Sequence, residues 1–552
     1  MTSRLHTEEI VPSKKSRIAE RLVPILLLLL GLSVFLCEAW EVRAQVDDAY
    51  ISYRYARNLI EGHGLVFNVG EYVEGFTNLL WTLLVAGGLA LGFQADSTGH
   101  ALGLISSVAL LVATYLYACT GLPASRRWIA AIPVFIIVSS ISFAEWSVSG
   151  METPMFAAAV TFALAAYARS RLGWATIAVC VATLTRPEGV LIAAILFAFH
   201  LASSWRQGWQ AWRWPLVFAG LVALLTVFRL VYYGSPLPNT FYAKVGGIPI
   251  IAGLRYVSRF LRDGAMWLLF PALIALFGDR RLWPGVAFAL LFTGYVIAIG
   301  GDAFPHSRFL VPVLPCLAVL GVRGAETAYQ ANRYLGVAVS LTIPTAVCWH
   351  IFGAVPAVIL LFTGALAFAW TLAIHFGRIW VVPALALILA AGFVVDYQYG
   401  SPARSEGVRE HLRSSKRSVR MQRSAYGMAY LGAYAERLAQ MLLRERPRPK
   451  LVACPGIGAV GYYSRLPILD IFGIIDPTIA RSKPEGLIRV RLVPGHHRSN
   501  ADYVFSRQPD FIMVGKHRRQ WSMPALVAIM EHPALAAHYA WDPQIMGYKR
   551  KR

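Results

Sequence analysis

The sequence predicts a polytopic α-helical membrane protein of about thirteen transmembrane helices, followed by a small C-terminal α/β domain. Three observations carry that expectation. Hydrophobic residues make up 57% of the 552 and charged residues 15%, against about 25% charged in soluble chains, so most of the surface must face lipid. The apolar residues gather into runs of roughly the length a membrane helix requires. Beyond residue 396 the text changes to basic stretches and short apolar runs separated by turns, which suits an α/β unit of about 100 residues. The expected division is residues 1–396 in the membrane and residues 397–552 outside it. A soluble enzyme, a disordered chain and a disulfide-stapled secreted domain are excluded.

The spans follow in order. Lys14, Lys15, Arg17 and Arg21 precede an apolar run over 22–40 with no small-residue cleavage site after it. That is a signal anchor with a cytoplasmic N-terminus. Further spans suit 101–119, 128–143, 151–167, 174–184, 189–203, 215–232, 265–277, 282–299, 309–320, 334–351, 354–375 and 380–395. With these, Arg126/Arg127, Arg169/Arg171, Arg206/Arg213, Arg280/Arg281, Arg323/Arg333 and Arg378 all fall inside, as the positive-inside rule asks. The agreement requires that 79–93 not cross the membrane, so that segment lies in the outer interface or re-enters it. Odd parity then puts the tail outside. The longer polar loops, 41–78, 145–153, 186–188, 233–263 and 300–308, share the outer side, and an external active site is the simplest explanation. Cys37, Cys119, Cys180, Cys316, Cys348 and Cys454 form neither a disulfide framework nor a zinc spacing.

The first outer loop reads VDDAYISYRYARNLIEGHGLVFNVGEYVEGFTNLLW. Asp47 and Asp48 open an amphipathic stretch carrying Tyr50, Ile51, Tyr55, Leu59 and Ile60, with Gly62 as its natural stop. Three readings of the pair stay open. One Asp caps the helix; or the paired charges raise one carboxylate's pKa and suit it to accept a proton; or the pair ligates a divalent cation.

The pattern D-D-x-x-I-x-x-R-x-x-x-N-L followed by G-x-G-x-V-F-N-x-G-E-x-V-E-x-x-T-N resembles the first external loop of GT-C glycosyltransferases. More narrowly it resembles the mycobacterial terminal β-(1→2)-arabinofuranosyltransferase family. The likeness continues through WSVSGMETP, LTRPEG, YYGSPLPNTFYAK and GGDAFPHSRF, and in the tail through GAVGYYS, DIFGIIDP and DYVFSRQPDFI. It implies a GT-C enzyme of a bacterial inner membrane that takes a sugar from a polyprenyl phosphate and adds it to an external glycan or lipid-linked acceptor. It also implies a general base at Asp48 or Asp47, with Asp48 favoured because it directly begins the helix.

The residues fit that chemistry on their own terms. A glycosyl phosphodiester leaves as a phosphate monoester, so the reaction asks for positive charge at the phosphate and a carboxylate for the acceptor's proton. Arg54, Arg57, Lys244 and Arg308 are the candidates for the phosphate; snorkelling to head groups is the bland alternative for each. Glu74, Thr77, Asn78, Asn239, Asp302 and His306 are the candidates for sugar or acceptor. Against these stand helix capping for Glu74, Thr77 and Asn78, a turn role for Asn239 after Pro236 and Pro238, and a structural role for His306. Glu152 suits a helix N-terminus, and Arg186-Pro187-Glu188 a hairpin with a local ion pair. No cofactor and no metal cluster is predicted, beyond the cation reading of the Asp pair.

Gly456, Gly458 and Gly461 spell G-x-G-x-x-G after a strand-like run, with Asp476 beyond. Literally this is a dinucleotide fingerprint. Pro455 before the first Gly, the external location and the missing βαβ set argue instead for close strand-to-helix packing. The net charge of +22 concentrates here too, since the chain after Gly400 holds 26 Lys and Arg against 11 Asp and Glu. On an external domain that excess points to membrane lipid or acidic envelope polymer rather than nucleic acid. Rival functions are transfer of another sugar to lipid A or protein, a polyprenyl-lipid flippase or transporter, and a non-catalytic scaffold. A transporter predicts polar residues in mid-span and related halves; neither is visible.

Overall fold

The computed structural model describes residues 14–41, 45–244, 249–302, 304, 306–342, 435–482, 498–515 and 523–551. The expected spans at 354–375 and 380–395, most of that at 334–351, and the expected boundary at 396 lie outside the described residues.

The chain is a polytopic helical membrane protein. Helix α1 (Lys14–Glu41) leads into α2 (Asp47–Ile60) of the first outer loop, then α3 (Leu79–Ala90) and α4 (Ala95–Ala118). Next come α5 (Ile132–Val138), α6 (Ile141–Ser147), α7 (Thr153–Tyr167), α8 (Leu172–Thr185), α9 (Gly189–Ser204) and α10 (Trp209–Tyr233). Then follow α11 (Asn239–Lys244), α12 (Ile250–Phe260), α13 (Met266–Ile274), α14 (Trp283–Ala298), α15 (Leu314–Ala331) and α16 (Arg333–Ser340). Among the described residues four helices are long and apolar enough to cross a membrane, or six if each of two bent pairs counts as one span. The first bent pair, Ala124–Val138 with Ile141–Ser147, turns by 74°, so the straight span expected over 128–143 is broken near Ser139 and Ser140. The second turns by 87° between Ile250–Asp263 and Met266–Phe277. Helix α3 has 12 residues, about 18 Å at 1.5 Å per residue, too short to cross the roughly 30 Å apolar layer.

Small residues let the helices approach. A Cβ on Gly103 of α4 would meet the carbonyl of Ser147 at 2.2 Å, and Ser107 donates to Ser147 Oγ at 2.7 Å. Such small and hydroxylated contacts are how helices associate where lipid removes any hydrophobic drive. Helix α10 is the opposite case: 6% of its apolar window is buried, as suits a helix turned to lipid.

The tail begins with α17 (residues 435–444) and holds a five-stranded sheet ordered β2-β1-β3-β5-β4. Strands β1 (Val452–Cys454), β2 (Ile468–Asp470) and β3 (Phe511–Ile512) are parallel, while β4 (Tyr539–Asp542) and β5 (Gly547–Arg550) form an antiparallel hairpin joined through β5 to β3. Helix α18 (Gly458–Ser464) connects β1 to β2; α19 (Pro477–Arg481) and α20 (Ala501–Ser506) precede β3; α21 (Pro524–Glu531) and α22 (Pro533–His538) precede β4. Alternate residues of a strand face opposite ways, and β1 uses both faces. Val452 and Cys454 join the core that runs through the membrane helices and first outer loop. Ala453 joins a second core with Leu469, Val504, Ile512, Leu526 and Ile529. The tail is thereby packed onto the first outer loop, on one side of the helical bundle.

Candidate active site

Helix α2 is the hinge of the site. Val46 occupies its N-cap position with extended backbone and no side-chain cap, so Asp47 and Asp48 form the first turn, where carboxylates are favoured by the helix dipole. Neither Asp caps α2. The helix ends at Glu61, and Gly62 (φ +83°) takes the left-handed conformation that glycine reaches without a Cβ penalty.

Adjacent residues on a helix diverge by about 100°, and the two carboxylates go to different neighbours. Asp47 faces the tail, where its Oδ1 accepts from the Ala459 amide at 2.9 Å and its Oδ2 from the Gly458 amide at 3.1 Å. Burial nonetheless raises its pKa to about 6. One and two turns along the same face, Tyr50 and Arg54 also meet the tail. Arg54 is 5% exposed and donates to the carbonyls of Phe67 (2.7 Å), Gly461 (2.5 Å) and Leu466 (2.8 Å). Its guanidinium also lies over the Phe67 ring, and burial lowers its pKa to about 10. Arg57 donates to the Tyr462 carbonyl at 2.8 Å and stacks on the Tyr462 ring.

Asp48 is different. It is half-buried and accepts no hydrogen bond among the described residues. Ser52, four residues on and therefore on the same face, donates to Asn78 Oδ1 at 3.0 Å. Asn78 donates in turn to Glu152 Oε2 at 2.9 Å. Glu152 accepts from Arg186 at 2.9 Å, and Arg186 pairs with Glu188 at 3.0 Å. This buried ladder ties α2, α3, α7 and the turn before α9 together. Burial pulls the Arg186 pKa down, but Glu188 and Glu152 more than offset it and the net direction is up.

Arg308 sits beside the ladder, since the Arg186 and Arg308 guanidinia both lie against the Phe309 ring, at 4.8 and 5.0 Å. Arg308 is 4% exposed, ion-paired with Asp302 at 2.7 Å, and also faces the rings of Phe304 and Trp146. Its Nη1 and the Trp146 Nε1 are buried donors with no hydrogen-bond partner among the described residues. His306 meets Glu145 at 3.4 Å. The backbone at His306 and Ser307 is left-handed (φ +53° and +48°), a strained conformation of the kind that gathers at functional sites. The Val46 amide donates to the Ser149 carbonyl at 3.2 Å, so the segment from Trp146 to Glu152, which meets both Arg308 and Arg186, is tied to the start of α2.

The remaining candidates separate. Glu74 is ion-paired with Arg229 of α10 at 2.9 Å. Asn239 donates to the carbonyls of Gly473 (2.8 Å) and Ile474 (3.0 Å) in the tail. Thr77 is half-buried and Lys244, at the end of α11, is exposed. The glycine fingerprint has a physical reading too. A Cβ on Gly458 would meet the Asp47 carbonyl at 1.9 Å, and one on Gly461 would meet Phe67 at 2.8 Å and Arg54 at 2.9 Å. These glycines admit the first outer loop, a partner other than the strand and helix of their own unit. Among the described residues no group of three or more His, Cys, Asp or Glu could hold a metal ion.

Fold and site together define a polytopic membrane protein with a buried cluster of ion pairs beside the first turns of α2, and an α/β tail docked on that helix. The comparisons name what it is similar to. A family model, "Domain of unknown function (DUF8728)", matches residues 421–545. The chain is 29% identical over 363 residues to the terminal β-(1→2)-arabinofuranosyltransferase of Mycobacterium tuberculosis, covering 55% of this chain and 57% of that protein. To the enzyme of the same name from Corynebacterium glutamicum it is 28% identical over 350 residues, covering 51% and 48%. The chain thus spans about half the length of the curated relatives it matches. The crystal structure of ArnT from Cupriavidus metallidurans bound to undecaprenyl phosphate superposes with a TM-score of 0.49 at 14% identity, covering 81% of this chain and 85% of that one. The resemblance to terminal arabinofuranosyltransferases read from the motifs holds over the roughly half of the chain that these matches cover.

Proposed function

We propose that this chain is a GT-C glycosyltransferase that moves a sugar from a polyprenyl phosphate to a cell-envelope glycan on the external face of a bacterial inner membrane, with inversion. The single observation that carries the reading is the contrast in the Asp pair. Asp47 is engaged by two amides, whereas Asp48 keeps its acceptor capacity on the face of α2 that Ser52 joins to the buried Asn78–Glu152–Arg186 ladder. Asp48 takes the proton of the acceptor hydroxyl as that oxygen bonds to the anomeric carbon. The bond from that carbon to the phosphate oxygen breaks, and the polyprenyl phosphate departs. Arg308, buried and with an unused donor, meets the charge growing on the phosphate, where a preorganised cation counts most. Lys244 serves the donor from the rim, while Arg54 and Arg57 keep the tail in place. Thr77, Asp302 and His306 orient sugar or acceptor.

Arabinofuranose as the transferred sugar follows the names of the two curated relatives. The outer-side assignment of loop and tail is supported by the basic loops expected on the opposite face. The step uses no cofactor, and transfer is expected to survive chelation. The test is transfer by purified protein from polyprenyl-phosphoryl-arabinofuranose. Asp48→Asn is expected to lower turnover by about 10²–10⁴-fold, the usual span for a general base, with insertion and folding unchanged. Full turnover in that variant would sink the mechanism. Linkage analysis of envelope glycan with and without the protein identifies the acceptor.

A further inference from the structure

Beyond the base itself, the docked tail bears on the reaction through the residue next door. Asp47 joins two units 411 residues apart in sequence, and the contact is built from both sides. The carboxylate takes two successive amides of α18 at 2.9 and 3.1 Å. On the tail, only glycine at 458 lets α18 come this close, because a Cβ there would meet the Asp47 carbonyl at 1.9 Å. The first turn of α2 has no side-chain cap of its own, and uncapped helix ends fray. Two neighbours hold it instead. On one side Val46 bonds to Ser149; on the other Asp47 bonds to the tail.

We propose that Asp47 is a positioning residue: by clamping α18 to the first turn of α2, it fixes where Asp48 presents its carboxylate, and so makes the tail a part of the catalytic unit. The inference rests on Asp48 acting as the base. It assigns Asp47 no contact with substrate. Further along α2, Arg54 and Arg57 hold the tail independently at Gly461, Tyr462 and Leu466, so loss of the Asp47 clamp loosens the first turn without releasing the tail. A shift of about 1 Å in a reacting group costs up to roughly 10²-fold in rate.

The experiment combines transfer kinetics with amide hydrogen exchange on the full-length protein in detergent. Asp47→Asn keeps one acceptor oxygen and Asp47→Ala keeps none. Turnover is therefore expected to fall in that order, about tenfold and then further, with the donor KM within twofold. Exchange should quicken at Gly458, Ala459 and the first turn of α2 and stay unchanged at Tyr462–Leu466. Gly458→Ala, which disturbs the clamp from the tail side and leaves the carboxylate intact, should reproduce both effects. Asp48→Asn is the control, expected to lose turnover with the wild-type exchange pattern. Wild-type turnover in Asp47→Ala overturns the proposal, as does complete loss of turnover with unchanged exchange, which makes Asp47 itself the base. An active Asp48→Asn rejects the base assignment alone and leaves the exchange result for the clamp standing.

Discussion

Glu74 of the first outer loop and Arg229 of the lipid-facing helix α10 meet through both carboxylate oxygens, at 2.9 and 3.2 Å. The Tyr232 hydroxyl accepts from the Leu65 amide, and the Tyr233 hydroxyl donates to the Leu65 carbonyl. Burial raises the Glu74 pKa more than Arg229 lowers it. Glu74→Gln leaves the Arg229 guanidinium without its carboxylate and is expected to destabilise by about 2 kcal/mol, below the 3–5 of a deeply buried pair, because Arg229 is partly exposed. Thermal unfolding in detergent reads the change, and faster exchange at the C-terminal end of α10 locates it.

Arg186 lies between Glu152 and Glu188, both of which it contacts within 3.0 Å. Replacing it with Met leaves two buried carboxylates facing each other. The expected loss is about 3–5 kcal/mol, the range for breaking a buried ion pair from one side. Double replacement with Glu152→Gln should recover part of it, and a double-mutant cycle on chemical unfolding measures the coupling. Strict additivity would mean the ladder is not a unit.

Asp470, 0% exposed, accepts from the amides of Phe472 (2.9 Å) and Ile475 (3.1 Å). Burial still raises its pKa from 3.8 to about 7. The folded state thus binds this proton more tightly than the unfolded chain. Its contribution to stability is fully present below about pH 4 and is lost as pH rises through about 7. Asp470→Asn removes that dependence. The melting temperature of the variant relative to wild type should climb by several degrees between pH 4 and pH 7.5. A gap that stays constant across that range refutes the assignment.

Arg308→Met keeps the packing against Trp146, Phe304 and Phe309 but removes the charge. With Arg308 serving the donor phosphate, donor KM should rise and turnover fall, together lowering kcat/KM by at least about 10²-fold, as for loss of an electrostatic donor. Acceptor KM should change little. Arg308→Lys should recover only part, since an ammonium lacks the planar fork. Inhibition by free polyprenyl phosphate gives an independent reading, and unchanged inhibition in Arg308→Met would place the phosphate elsewhere.

Some of this was legible along the chain because it is local. Composition and apolar runs determine a polytopic helical protein, since burial in lipid depends on each segment's own side chains. Gly62 as the stop of α2 follows from backbone conformation at one residue. That 79–93 stands apart from the spans follows from which side the basic loops fall on. The crowding of Glu152, Arg186 and Arg308 into polar loops at span ends could be read as well, although the ladder and the ring contacts that join them could not. Only the tertiary structure decided which member of the Asp pair is engaged, why the glycines of the tail are small, and that Arg54 and Asn239 grip the tail. The physical reason is distance along the chain. Asp47 and Gly458 are 411 residues apart, Arg54 and Leu466 412, and no periodicity or spacing encodes a hydrogen bond between segments that meet only when the bundle and the sheet have formed. Equally, a single residue step on α2 turns a carboxylate by about 100°, enough to send Asp47 to the tail amides and leave Asp48 on the face that carries Ser52.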